Sequence, residues 1–276
     1  MKDGAKPLIT SPHNPRVKDA ARLRDRRHRE KQGRILIDGA RELRRAMDAG
    51  VRLVEVFVCE PLCGSDDAQR VLAALAESGC EMWHVSEGVF QKLAFGQRAE
   101  GVLGVAATPR PTPLSLALPE NALVAVLEGV EKPGNVGAVL RSADAVGVSA
   151  VMVADGHTDL YNPNAIRASL GTIFTMPVCE AGSGDVLEWL RKRKYSMVAA
   201  RVDGAVPYTA VDYRGPTAIV LGSEAAGLSS LWSGADIKAV SLPMLGAADS
   251  LNVSVAAAVL FYEALRQRSA GQQRLV

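Results

Sequence analysis

A chain of 276 residues, 48% hydrophobic and 22% charged, is long enough for two ordinary domains, each burying its own core. No run approaches the roughly 18 apolar residues of a membrane span, and the opening stretch MKDGAKPLITSPHNPRVKD lacks the apolar segment of a signal peptide, so a cytoplasmic protein without membrane association is expected. Cys59, Cys63, Cys80 and Cys179 form no C-x-x-C pair and the four His are dispersed, which predicts reduced thiols and no metal site.

The formal net charge of +2 conceals an asymmetry: residues 16–34, RVKDAARLRDRRHREKQGR, hold nine Lys or Arg against Asp19, Asp25 and Glu30, a local +6. Three acids cannot pair nine bases, and concentrated positive charge is the footprint of a polyanion binder; the plainer alternative is a solvated helix face. The stretch NPRVKDAARLRDRRHREKQG is expected to form one helix, apolar at Val17, Ala21 and Leu23, with Asn14 as N-cap and Pro15 in the first turn. There follow GRILIDG as a strand, ARELRRAMDAG as a helix, LVEVFVC as a strand, DAQRVLAALAESG as a helix, CEMWHVS as a strand, EGVFQKLAFG as a helix and GVLGVAATP as a strand. Such alternation implies a small α/β unit over residues 1–107 with a largely parallel sheet.

Four prolines in TPRPTPLSLALPEN, Pro109, Pro111, Pro113 and Pro119, break any period, so residues 108–120 are expected as a semi-rigid linker. A second alternating series occupies 121–270. Its strands are ALVAVLEGV, AVMVAD, MPVCE, SMVAARV, TAIVLGS and KAVSLPM; its helices are VGAVLRSADAVG, NPNAIRASLGTI, GDVLEWLRKRK and LNVSVAAAVLFYEALRQRS. The last helix places Val255, Ala258, Val259, Tyr262 and Leu265 at helical spacing.

The turn EKPGNVGAVLRSADAVG resembles a phosphate loop in style only. Gly129, Gly134 and Gly137 stand at the wrong intervals for a dinucleotide fingerprint, and Asn135 and Val136 occupy the places of the Lys and Ser/Thr of a triphosphate loop. Asn135 is a good N-cap. Arg141 interrupts the apolar series Val136, Val139, Leu140, Ala143 and Val146, where a buried guanidinium requires a carboxylate or phosphate partner. AIVLGSEAAGLSSL carries one acid, Glu224, in a small-residue loop, and VSLPMLGAADSLNVSVAAAV runs from a strand through a Pro-marked loop to a helix capped by Ser250, Asn252 or Ser254. Small residues let backbone groups approach a ligand closely.

In order and spacing, NVGAVLRSADAVG, IVLGSEAAGLS and VSLPMLGAADSLNVSVAAAVLFYEALRQR resemble the three motifs of the SpoU/TrmH family of S-adenosylmethionine-dependent RNA ribose 2′-O-methyltransferases in the SPOUT superfamily. ITSPHNPRVKDAARL, RILIDGARELRRAMDAG and GVLGVA resemble, more loosely, the substrate-binding domain that precedes many members, especially those acting on large-subunit ribosomal RNA. The resemblance implies a small α/β substrate-binding domain followed by an α/β trefoil-knot domain, with loops 222–228 and 242–252 forming the knot. It also implies an S-adenosylmethionine cofactor and a homodimer with the active site at the subunit interface, to which Phe261 and Tyr262 of the last helix contribute. No metal is required. By motif match, Ala199, Leu221, Gly222, Leu242, Met244 and Leu251 hold the cofactor, and Arg141, supported by Asn135, Glu224, Ser250 and Asn252, acts on the ribose. A guanidinium titrates above about 12 and is a poor base, so a phosphate clamp is the physically safer role. Asn14, Lys18, Arg22, Arg24 and Arg26 are expected to contact the RNA, 23S ribosomal RNA before transfer RNA, in a housekeeping or an antibiotic-resistance role. The other reading is a non-catalytic RNA-binding dimer; a nucleotide-dependent phosphotransferase lacks the residues it needs.

Overall fold

The computed structural model describes residues 7–95, 100–112, 114–156 and 158–270. Gly96 and Pro113, expected at a helix end and in the linker, lie outside the described residues. The chain forms two compact units: residues up to Arg110 with Leu160–Thr175, and Pro111–Asp159 with Met176 onward. It therefore passes between them three times.

In the first unit the basic run forms two helices, α1 (Pro15–Arg22) and α2 (Arg26–Gln32), where one was expected. Arg29 explains the break. Its buried guanidinium donates to the carbonyls of Leu23 (2.6 Å) and Arg24 (2.7 Å), satisfying acceptors that a finished helix leaves orphaned, while the Asp25 carboxylate caps α2 by accepting from Arg27 N at 2.8 Å. There follow β1 (Arg34–Asp38), α3 (Ala40–Asp48), β2 (Leu53–Val58), α4 (Asp66–Ser78), β3 (Glu81–His84), α5 (Glu87–Leu93) and β4 (Val102–Ala107).

The sheet runs β1-β4-β2-β3, and only β2 and β3 are parallel; β4 lies antiparallel to both of its neighbours. The largely parallel sheet expected from alternation is thus corrected. Strand β4 starts at the end of the sheet where β3 finishes and so runs the opposite way, a direction that apolar periodicity does not encode. Gly104 at its centre leaves room for Leu43 of α3, whose Cδ1 a Cβ would approach to 2.6 Å.

The segment NPNAIRASLGTI belongs to this unit as a short helix, α7 (Pro163–Ala168), and a 3-10 turn at Thr172–Phe174, broken at Leu170 (φ 53°) and Gly171 (φ 81°). Arg45 Nη1 donates to Leu170 O at 2.6 Å. Arg167 donates to the Phe95 carbonyl and lies 3.7 Å from the buried Asp38 carboxylate, which accepts from Phe95 N at 2.5 Å. Burial outweighs these partners and raises the Asp38 carboxyl to about 6.

The second unit is an α/β layer on seven strands, β5 (Leu123–Glu128), β6 (Ala150–Ala154), β7 (Val178–Ala181), β8 (Ser196–Ala200), β9 (Val206–Pro207), β10 (Thr217–Leu221) and β11 (Ile237–Ser241), in the order β7-β6-β5-β10-β8-β11-β9. Every pairing is parallel. Strands β5, β6 and β10 are buried at every residue, as the continuous apolar runs of a sheet covered on both faces require. Its helices are α6 (Pro133–Val146), α8 (Ser183–Lys192) and α9 (Val253–Ala270). Leu114, Leu116 and Leu118 of the Pro-rich segment pack on this core, and Thr112 N donates to Val178 O at 2.8 Å. Helix α9 packs against α6 and buries Ala257, Leu260, Phe261 and Ala264, but leaves Val255 and Tyr262 exposed. Among the described residues, no helix is long and apolar enough to cross a membrane.

Candidate functional site

In a parallel sheet all strands finish at one edge, and ligands of open α/β sheets bind outside it. Here β5, β10, β8 and β11 are neighbours and end at Glu128, Leu221, Ala200 and Ser241. The three stretches singled out in the sequence, 129–135, 222–229 and 242–252, therefore leave the sheet side by side.

A chain of side-chain hydrogen bonds joins them. Ser254 Oγ donates to Asn252 Oδ1 (2.6 Å), Asn252 Nδ2 to Asn135 Oδ1 (3.3 Å), and Asn135 Nδ2 to the Glu224 carboxylate. Asn252 also caps α9, accepting from Ser254 N at 2.9 Å; Asn135, expected as an N-cap, instead lies inside the first turn of α6, which begins at Pro133 behind Lys132. The structure thus brings together Asn135, Glu224 and Asn252. The side chains of Ser250 and Arg141 are not part of this chain of bonds and make no hydrogen bond or ion pair to any described residue.

Arg141 corrects one expectation. It is exposed, because at about 100° per residue it falls on the opposite side of α6 from buried Val136, Val139, Leu140 and Ala143; it stands about 120° around the helix from Asn135 and about 9 Å further along. No burial cost therefore demands a partner within the chain, and its five donors point outward.

Of the remaining candidates, Ala199 and Leu221 are buried at strand ends, Leu242 and Met244 are half-buried and Leu251 is exposed. Residues 244–251 make no backbone hydrogen bond to any described residue, so their amides and carbonyls remain available. Gly222 serves the turn itself. A Cβ there would lie 2.2 Å from the Gly227 carbonyl carbon, so its missing side chain lets the turn close through the paired bonds Ser223 N to Gly227 O (3.2 Å) and Gly227 N to Ser223 O (3.0 Å).

Glu128 escaped sequence reasoning. Its buried carboxylate ends β5 and accepts from Ser229 N (2.7 Å), Ser229 Oγ (2.8 Å) and Trp232 Nε1 (2.8 Å). The available signal was an acid closing the apolar run LVAVLE.

In the first unit the basic run is partly consumed by the fold. Asn14 caps α1. Arg24 Nη2 donates to Lys92 O (2.6 Å) and Ala94 O (2.5 Å), Arg22 pairs with Asp19 (3.1 Å) and Arg26 with Glu30 (2.7 Å). Arg16 lies over the Trp83 ring at 4.1 Å and meets Glu55 at 3.2 Å. Lys18, Arg27 and Lys31 are exposed, and their side chains have no partner among the described residues. Arg27 and Lys31, four apart, share one face of α2.

Residues 122–262 match the SpoU rRNA Methylase family and residues 14–104 the MRM3-like substrate binding domain. A 23S rRNA (uridine(2479)-2′-O)-methyltransferase of Streptomyces viridochromogenes is 30% identical over 266 residues, covering 91% of this chain and 89% of its own. The crystal structure of an RNA 2′-O ribose methyltransferase superposes with a TM-score of 0.86 at 44% identity, covering 95% of this chain and all of that one. A SpoU methyltransferase from Streptomyces viridochromogenes, solved in complex with the cofactor AdoMet, gives a TM-score of 0.82 at 28% identity over 94% of this chain and 99% of that one.

Proposed function

Given that the chain belongs to the SpoU rRNA methylase family and is an S-adenosylmethionine-dependent RNA ribose 2′-O-methyltransferase, we propose that its substrate is large-subunit ribosomal RNA, held by the first unit and methylated at the carboxyl edge of the second. The observation that carries this assignment of the site is the convergence of Asn135, Glu224 and Asn252 from three separate motifs at that edge.

The loops fit the cofactor. Residues 244–251 offer unengaged backbone donors and acceptors of the kind adenine requires, and half-buried Leu242 and Met244 offer apolar surface to the methylene groups of the methionine moiety. Leu221, Gly222, Ala199 and Leu251 complete the binding set. When bound, the cofactor supplies an electrophilic methyl group, so the chain itself has to orient the ribose hydroxyl and manage one proton. The outward guanidinium of Arg141 clamps a phosphate beside the ribose, and the Asn135–Glu224 pair at the helix start hydrogen-bonds the sugar, with Ser250 nearby on the third loop.

The protein works in the cytoplasm as a homodimer, its 222–228 and 242–252 loops forming a trefoil knot. The exposed stripe of Val255 and Tyr262 on α9 is the dimer contact, since an apolar helix face left in water calls for a partner. Lys18, Arg27 and Lys31, with Arg22 and Arg26, form the phosphate-binding face of the first unit.

The test is transfer of labelled methyl groups to purified ribosomal and transfer RNA lacking the modification, followed by mapping of 2′-O-methyl positions. Label at one ribose of large-subunit RNA is expected; label confined to transfer RNA would overturn the substrate assignment.

A further inference from the structure

We propose that Glu128 is a positioning residue for the cofactor loop, an inference that rests on loop 222–229 being part of the cofactor site. A carboxylate at the end of a buried strand is costly to keep, and no cation lies against this one among the described residues. Its negative charge is instead met by three donors, all from Ser229 and Trp232. These two residues lie where the 222–228 loop returns to the core, and Trp232 is fully buried. The other end of the loop is fixed by the pairing of Leu221 with Leu127, next to Glu128 itself.

The same strand end also fixes the approach to α6. Gly129 N donates to Ala154 O at 3.0 Å, and the Val130 carbonyl accepts from the buried Thr158 hydroxyl at 2.5 Å. Glu128 therefore ties the exit of the cofactor loop to the origin of the segment that presents Asn135. Without it, Gly222–Leu228 would keep its internal turn but lose its fixed place over the sheet edge, and the cofactor would have to order the loop on binding.

The geometry selects the substitution. In Glu128→Gln one acceptor oxygen becomes an NH2 group, which must face either Ser229 N–H or Trp232 Nε1–H, two donors that cannot accept. S-adenosylmethionine binding by calorimetry, well below both melting temperatures, is expected to weaken about tenfold or more, with the cofactor KM raised and kcat at saturating cofactor within about threefold. Ser229→Ala and Trp232→Phe each remove one donor, keep the carboxylate, and are expected to weaken binding about threefold each. Leu190→Ala, in the same core on α8, is expected to lower the melting temperature without changing cofactor affinity.

Native affinity in Glu128→Gln, or a loss matched by Leu190→Ala at equal loss of melting temperature, would overturn the proposal. If Glu128→Gln does not fold, native affinity in both donor variants overturns it equally. Should the native protein itself fail to bind S-adenosylmethionine, the cofactor assignment fails first, which distinguishes the two.

Discussion

Asn135 is the meeting point of three motifs distant in sequence, accepting from Asn252 and donating to Glu224, whereas the Arg141 side chain on the same helix makes no hydrogen bond or ion pair to a described residue. The two are thus separable by mutation. Arg141→Ala leaves the fold intact, because surface changes of this kind stay within about 0.5 kcal/mol, and is expected to keep cofactor affinity within about threefold while methyl transfer falls about 100- to 1,000-fold, the usual cost of removing one transition-state donor. Near-normal transfer rates would remove Arg141 from catalysis. Away from the site, Asp38 makes a residue-scale expectation about pH. Its carboxyl titrates near 6 in the fold against 3.8 ordinarily. Between those values the folded protein holds a proton that the unfolded chain has released, so stability falls as pH rises through that window and the full cost, about 3 kcal/mol, applies above it. Asp38→Asn has no charge to bury. Relative to the native protein, its stability in urea denaturation should therefore improve by about 2–3 kcal/mol between pH 4 and pH 7; a difference independent of pH would show that Asp38 is not the buried acid responsible.

At the scale of elements, helices and strands were largely legible because burial imposes its period directly: β5, β6 and β10 are apolar runs buried throughout, and α6 carries an apolar stripe. On α9 the buried face is Ala257, Leu260, Phe261 and Ala264 and not the expected series of Val255, Ala258, Val259, Tyr262 and Leu265, because the helix is apolar on more than one side and spacing alone does not choose between them. Strand direction was not, since periodicity is the same for a strand run either way, and β4 turned out antiparallel. Nor was the break between α1 and α2, which depends on Arg29 reaching back to carbonyls five and six residues earlier. The candidate site was legible through motif spacing for Asn135, Glu224 and Asn252, while Glu128 was not, because a single acid closing an apolar strand belongs to no spaced motif and does not reveal the donors that meet it. The helix break changes which cations are free for RNA. Replacing Lys18, Arg27 and Lys31 together by Gln should flatten the log–log salt dependence of RNA binding by about two units, at about 0.7–0.9 for each phosphate left unneutralised. Arg24→Gln should instead lower stability with little change in slope, because its guanidinium holds the carbonyls of Lys92 and Ala94. Equal slopes for the triple variant and the native protein, measured by titration at several salt concentrations, would return the basic run to a solvated surface.

For the whole molecule, the decisive feature is that the first unit is discontinuous in sequence, with Leu160–Thr175 packed among residues that precede Arg110. Deleting the N-terminal part is therefore not a clean excision. A truncation beginning at residue 111 retains Thr112 and the leucines that pack on the second core, but strips 160–175 of Asp38, Arg45 and Phe95 and uncovers Leu160, Ile166 and Ile173, each now at most 3% exposed. At about 1.5–3 kcal/mol per buried aliphatic side chain, the uncovered segment costs about 5 kcal/mol or more of burial, comparable to the whole stability of a small domain. The simple truncation should accordingly bind a hydrophobic dye and aggregate. If residues 160–175 are also replaced by a short glycine-serine linker, the uncovered segment is removed with them, and the protein should be soluble, melt cooperatively and bind S-adenosylmethionine with native affinity. That protein should nevertheless methylate ribosomal RNA at least 100-fold more slowly at limiting RNA, because the phosphate contacts of the first unit supply much of the binding energy. Native rates from it would show that the second unit selects the substrate unaided. A simple truncation as soluble and cooperative as the linker version would show instead that 160–175 does not depend on the residues before Arg110.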